Sequence, residues 1–271
     1  MRPSGLLLAL ILSGPSGAAP TEPPDPAAKP TLQVFLNKIS ATKGRVGALT
    51  ATAAVTPRGT ILIEDGIGVI QVAWGKRIQR VPGVKGLDAF DYASDGVFMG
   101  IQRGDLLYLS RADGQFKKLL TLPSIGMGLA IGRGKIYLFE RKGDGRKNGL
   151  FVLFPGKKSL RLFDSPEPIG AVLEDGDRLL FSVGSSIFEF SADKKTSLVL
   201  GQPKGRAIVS LALDPKTRKI YASDGASVFS FKGDQVNMIT KESGGTLRWL
   251  DGGLLIFDPK APLLLRIVGL P

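Results

Sequence analysis

The sequence predicts an all-β fold, a six-bladed β-propeller whose N-terminal strand closes the last blade. Three observations carry this prediction. An apolar strand pattern recurs six times at intervals of about 40 residues, the length of one four-stranded blade. A run of small residues precedes most of the copies, as strands converging on a propeller axis require. The last copy ends one strand short, and one apolar strand stands alone ahead of the first.

The second strand of each copy is the plainest. It begins near Ile61 (ILIED), Val97 (VFMGI), Ile136 (IYLFE), Leu179 (LLFSV), Ile220 (IYASD) and Leu254 (LLIFD). Each has a following partner: GVIQVAW, DLLYLSR, LFVLFPG, SIFEFSA, SVFSFKG and PLLLRIV. Alternation and the enrichment in β-branched and aromatic residues favour strand over helix. The turns after these partners, WGKR, ADGQF, PGKK, ADKK and KGDQ, supply the Gly and Asp that tight hairpins need. The first strands are small-residue runs: GALTATAA (47–54), GMGLAIG (126–132), GAVL (170–173) and SLALD (210–214). The solitary strand TLQVFLNKI (31–39), paired with the short final copy, supplies its fourth strand and removes an open sheet edge. The competing architectures are a two-sheet sandwich or an open array of meanders, and the repeat boundaries also admit five or seven blades.

Copies such as SLALDPKTRKIYASDGASVFSFKGDQ resemble the blades of six-bladed propellers of the NHL, TolB-like and gluconolactonase-like groups. The resemblance covers roughly residues 31–271 and is one of pattern, so it implies fold and little about activity. The gluconolactonase-like group implies a divalent cation held by Glu, Asn and Asp from separate blades. This chain departs from that set: Asn37 lies in the N-terminal strand, Asn148 in an inserted loop and Asn237 in a late strand.

Residues 1–19 (MRPSGLLLALILSGPSGAA) combine one positive charge at Arg2, an apolar run and small residues ending at Ala19, the plan of a secretory signal peptide. The apolar run is too short to span a bilayer. Residues 20–30 (PTEPPDPAAKP) read as a Pro-rich linker. The expected organisation is therefore signal peptide 1–19, linker 20–30 and propeller 31–271, in a periplasmic or secreted protein with no transmembrane anchor after cleavage.

Hydrophobic residues at 43% and charged residues at 22% suit a globular domain with a real core. The chain has neither Cys nor His. That excludes thiolate nucleophiles, imidazole bases, a Ser-His-Asp triad and His- or Cys-ligated metals. A net charge of +12 favours anionic partners.

Aligning the blade entries puts Asp91, Ala130, Val172, Ala212 and Arg248 at equivalent inner-strand positions, with Trp249 beside Arg248. Mostly small residues there describe a narrow or plugged channel. Asp91, Arg248 and Trp249 are its candidate binding residues: the two charges pair with each other, or contact a ligand together with the indole. Asp88, Asp91 and Asp95 depart from the alternating spacing of a calcium loop, and a turn aspartate before Gly96 is expected in any case. GDGRKNG (143–149) reads as a solvated loop.

In a four-stranded blade the first and third hairpin turns share one face of the disc. Those turns carry Arg58, Lys76, Arg77, Lys117, Lys118, Lys157, Lys158, Lys194, Lys195, Lys216, Arg218 and Lys219, which predicts a basic face. The leading expectation is an exported, non-catalytic binding or scaffold propeller of the bacterial envelope, docking through that face on a protein partner or an anionic surface. No cofactor is expected, and nucleic acid is a poor partner because basic-aromatic interleaving is absent. The alternatives are a metal-dependent hydrolase of the lactonase or sugar-ester type, and an adaptor subunit of a larger envelope complex.

Overall fold

The computed structural model describes residues 31–37, 53–56, 61–64, 69–72, 79–80, 86–92, 98–110, 115–141, 147–154, 158–190, 196–200, 206–232, 235–241, 243–250, 252–258, 263–268 and 270. The signal peptide and the Pro-rich linker expected at residues 1–30 lie outside the described residues.

The solitary strand is β1 (Thr31–Asn37). The first blade follows with β2 (Ala53–Val55), β3 (Ile61–Glu64), β4 (Val69–Val72) and β5 (Gln79–Arg80). The second comprises β6 (Ala89–Tyr92), β7 (Phe98–Gln102), β8 (Asp105–Leu109) and β9 (Phe116–Thr121). The third is β10 (Met127–Ile131), β11 (Ile136–Glu140), β12 (Asn148–Leu153) and β13 (Leu160–Ser165). The fourth is β14 (Ile169–Asp175), β15 (Arg178–Val183), β16 (Ser186–Phe190) and β17 (Thr196–Leu200). The fifth is β18 (Ser210–Leu213), β19 (Ile220–Ser223), β20 (Val228–Lys232) and β21 (Gln235–Thr240). The sixth has β22 (Thr246–Leu250), β23 (Gly253–Asp258) and β24 (Leu263–Val268).

These strands form six four-stranded sheets, and in the sixth the order is β1-β24-β23-β22. β1 runs antiparallel to β24, from Thr31 opposite Val268 to Asn37 opposite Leu263, with a register shift between Val34 and Leu36. The expected strand exchange is thus what completes the last blade. The innermost strands touch in cyclic order, β2 to β6, β10, β14, β18, β22 and back to β2, so the ring is closed.

The third and fifth blades bury both faces, and their second strands show why they read as continuous apolar runs. In β11, Ile136 and Leu138 pack toward the second blade with Ile101 and Leu106. Tyr137 and Phe139, pointing the other way, pack toward the fourth blade with Ile169 and Phe181. β19 repeats the device: Ile220 and Ala222 join Leu180 and Ile187, while Tyr221 joins Leu247 and Leu254. The cores therefore lie between blades, and no blade could bury its surface alone.

Buried hydroxyls tie blade to blade. Ser210 Oγ accepts the Leu247 N–H at 2.9 Å, and Ser223 Oγ accepts the N–H groups of Gly245 at 2.8 Å and Gly225 at 3.0 Å. Ser182 Oγ donates to the Ile208 carbonyl at 3.0 Å. That junction needs Gly170, because a Cβ there would collide with the same Ile208 carbonyl.

Two sequence expectations are corrected. Asn148 is not in a loop: it opens β12, is buried, and its Nδ2 donates to the Pro166 carbonyl at 3.5 Å. The charged Gly-rich stretch before it masks where the strand begins. The channel is also not plugged. The small residues of the six inner strands leave a cavity of about 970 Å³ on the axis instead of filling it.

Candidate functional site

The cavity is lined by all six inner strands, and all five residues aligned from the sequence, Asp91, Ala130, Val172, Ala212 and Arg248, reach it, as does Trp249. Asp91 stands in β6 with both carboxylate oxygens engaged: Oδ1 accepts its neighbour Tyr92 N–H at 2.9 Å and Oδ2 accepts the Ile131 N–H of the next blade at 2.8 Å. It is half-buried and lines the channel. Burial pushes its carboxyl up from the ordinary value, against the opposing pull of the Arg248 charge and the two N–H donors.

Asp91 and Arg248 thus act on each other through their charges. Among the described residues they do not form a direct ion pair; the backbone, not the guanidinium, satisfies the carboxylate. Arg248 Nη1 instead donates to the Leu247 carbonyl at 2.9 Å. Trp249 stacks on Tyr221, with ring centroids 5.5 Å apart and planes inclined by 19°. Tyr221 is fully buried, its hydroxyl has no hydrogen-bond partner among the described residues, and burial with the nearby Asp214 charge pushes it up to about 12.

A second group of charges was not singled out from the sequence. Arg141, just past β11, also lines the cavity. Its guanidinium lies 5.3 Å from the centroid of the Phe139 ring. Gly128, paired with Phe139 across the sheet, makes that possible: a Cβ at 128 would run into the ring and come within 2.6 Å of Arg141 Nε. Partial withdrawal from bulk solvent, then repulsion from Arg248, push Arg141 down to about 10, so it remains a cation at neutral pH.

The remaining carboxylates lining the cavity are held by protein donors. Glu174 accepts Tyr137 O–H at 2.8 Å, Lys135 Nζ at 3.1 Å and Arg133 N–H at 2.5 Å. Burial and the Glu174 hydrogen bond push the Tyr137 hydroxyl up. Asp175, with its side chain almost fully buried, pairs with Arg178 at 2.5 Å and Arg218 at 2.6 Å. Among the described residues, no group of three or more Asp or Glu is placed to hold a metal ion.

Of the predicted basic face, Lys158 and Lys216 are exposed in their turns, whereas Lys117 and Lys118, also exposed, stand in β9 and not in a hairpin turn. Lys118 pairs with Asp105 at 2.8 Å and Arg218 is drawn to Asp175, while Lys219 is half-buried. Arg218 adopts a left-handed conformation, with φ of 61°, in the turn that aims it there. Arg58, Lys76, Arg77, Lys157, Lys194 and Lys195 lie outside the described residues, as does Asp95 of the rejected calcium loop. Asp88 of that loop accepts the Arg103 N–H at 2.9 Å, a structural role.

Fold and channel together define the class: a β-propeller with an open axial cavity. Solved structures bear out the fold. The chain is similar to virginiamycin B lyase from Staphylococcus aureus, at 11% identity and a TM-score of 0.64, with 89% of this chain and 99% of that one covered. A gluconolactonase from Xanthomonas campestris matches at 16% identity and a TM-score of 0.67, covering 94% and 99% of the two chains. An auxiliary nutrient binding protein from Bacteroides thetaiotaomicron matches at 10% identity and a TM-score of 0.66, over 88% and 76%. Identities this low establish the fold alone. No protein family matches the chain, and neither does any curated protein.

Proposed function

We propose that this chain is an exported, non-catalytic binding or scaffold propeller of the bacterial cell envelope, docking through the face formed by its first and third hairpin turns. The observation that carries this reading is the exposure of Lys158 in the β12–β13 turn and Lys216 in the β18–β19 turn, on the face where the sequence concentrates its cations. Export is read from the signal-like residues 1–19. The hydrolase alternative asks for channel carboxylates offered to a cation. Asp91, Glu174 and Asp175 are instead taken up by backbone N–H groups, a tyrosine, a lysine and arginines.

The test is co-sedimentation of the mature chain with anionic and with zwitterionic vesicles, at low and high salt. The reading expects retention on anionic vesicles alone. It also expects release as salt rises to about 1 M, where the screening length falls to ~3 Å. The double variant Lys158→Glu/Lys216→Glu should bind more weakly. A single protein captured from envelope extract with salt-resistant affinity would favour the adaptor alternative. Equal retention on both vesicle types would contradict docking by charge.

A further inference from the structure

We propose that the axial cavity is a binding site for a small organic anion, its carboxylate or phosphate head held between Arg141 and Arg248. The site lies in the channel, whose rim includes Pro215 and Arg218 of the β18–β19 turn, and it is tested separately from docking by the outer turns.

Ring geometry makes the first argument. Arg141 belongs to the third blade and Arg248 to the sixth, and the inner strands close in cyclic order. In a ring of six, the third and sixth blades face each other across the axis. The two guanidiniums thus approach one cavity from opposite walls, close enough for the Arg248 charge to act on Arg141. Guanidinium is the cation whose planar donors suit carboxylate and phosphate oxygens.

Charge balance makes the second. Four arginines and three carboxylates line the cavity. Glu174 is taken by Lys135, Tyr137 and the Arg133 backbone; Asp175 is taken by Arg178 and Arg218. Among the described residues lining the cavity, Asp91 is the remaining carboxylate, and both its oxygens already accept backbone N–H groups. Among the described residues, no carboxylate lies within ion-pair distance of Arg141 or Arg248. Two like charges converging on one cavity with no ion-paired carboxylate between them are relieved when an anion enters.

Local construction makes the third. Phe139 lies beneath the Arg141 guanidinium, and Gly128 clears the space that lets it turn inward. Trp249, backed by the buried Tyr221 ring, lines the same cavity and offers an aromatic wall for the body of the ligand. A volume of about 970 Å³ accommodates a metabolite-sized molecule.

The sequence holds two tryptophans, so Trp74→Phe leaves Trp249 as the only indole reporter. In the mature Trp74→Phe chain, Trp249 fluorescence is titrated with phenyl phosphate, benzoate and inorganic phosphate. The expected result is saturable quenching by an aromatic anion, with affinity falling about tenfold or more in Arg141→Gln and in Arg248→Gln. Phenyl phosphate against benzoate assigns the head group, and inorganic phosphate shows whether the ring contributes. Lys158→Gln, in the β12–β13 turn away from the cavity lining, should bind as the parent does. Should a Gln variant not fold, Arg141→Lys and Arg248→Lys decide: they keep the charge and lose the fork, so weaker binding supports the site and unchanged binding overturns it. The proposal is also overturned by a flat response to all three probes, or by binding that survives the channel variants and disappears in Lys158→Gln.

Discussion

At the scale of single residues, two buried hydroxyls of the fifth blade have opposite fates. Ser223 Oγ accepts two backbone N–H groups, one from the sixth blade, whereas the neighbouring Tyr221 hydroxyl has no partner among the described residues. Ser223→Ala orphans one buried and one half-buried donor and should lower the unfolding free energy by about 1–3 kcal/mol. Tyr221→Phe removes an unsatisfied group and should leave the melting temperature unchanged or raise it. Denaturant unfolding of both variants checks the contrast. Asp91 adds a pH dependence whose sign follows from its raised folded-state value. The stability it contributes is fully present below the unfolded value of about 3.9 and is lost as pH rises through the folded one. Unfolding of wild type and Asp91→Asn across that range should show the wild type losing ground to the variant as pH increases; a parallel pair of profiles would contradict it. Asp91 and Arg248 were legible in the sequence because charge is unexpected on an inner strand. Arg141 was not, since it follows a second strand and reaches the channel only because residue 128, on the paired strand, has no side chain. Nor does a serine in IYASD announce that it will bond to another blade.

At the scale of elements, the second strands were the most readable parts because both of their faces are buried, which removes the polar half of the usual alternation. The expected starts at Ile61, Ile136 and Ile220 coincide with those of β3, β11 and β19. The small-residue first strands were also read correctly, but their consequence was not. Small side chains were expected to accompany a narrow channel, yet six such strands held apart by their blades leave an open one. Blade spacing is set by large residues between the sheets, such as Phe90, Phe139, Phe181 and Tyr221, and not by those on the axis. A close inter-blade approach lies at β14, where Gly170 faces the Ile208 carbonyl. Gly170→Ala forces a backbone to move and should cost about 1–3 kcal/mol, detectable as a lowered denaturation midpoint with an unchanged slope. An unchanged midpoint would mean that the fourth and fifth blades are less closely joined than described.

At the scale of the whole molecule, closure of the ring decides what the charged residues can do. Arg141 and Arg248 oppose each other only if the sixth blade meets the first, and that depends on β1 completing the sixth sheet beside β24. The chain contains no cysteine, so an introduced pair reports without interference. The register sets Gln33 opposite Arg266 and Val34 opposite Leu265. Adjacent antiparallel pairs alternate between wide and narrow spacing, so one of these two suits a disulfide. The most direct measurement is therefore oxidation of Gln33→Cys/Arg266→Cys and Val34→Cys/Leu265→Cys, read by non-reducing electrophoresis and thermal melting. The account predicts an intramolecular disulfide in at least one variant, monomeric and with a higher melting temperature than its reduced form. Failure of both to cross-link, or cross-linking only between molecules, would contradict the closed ring and with it the opposed arginines of the channel.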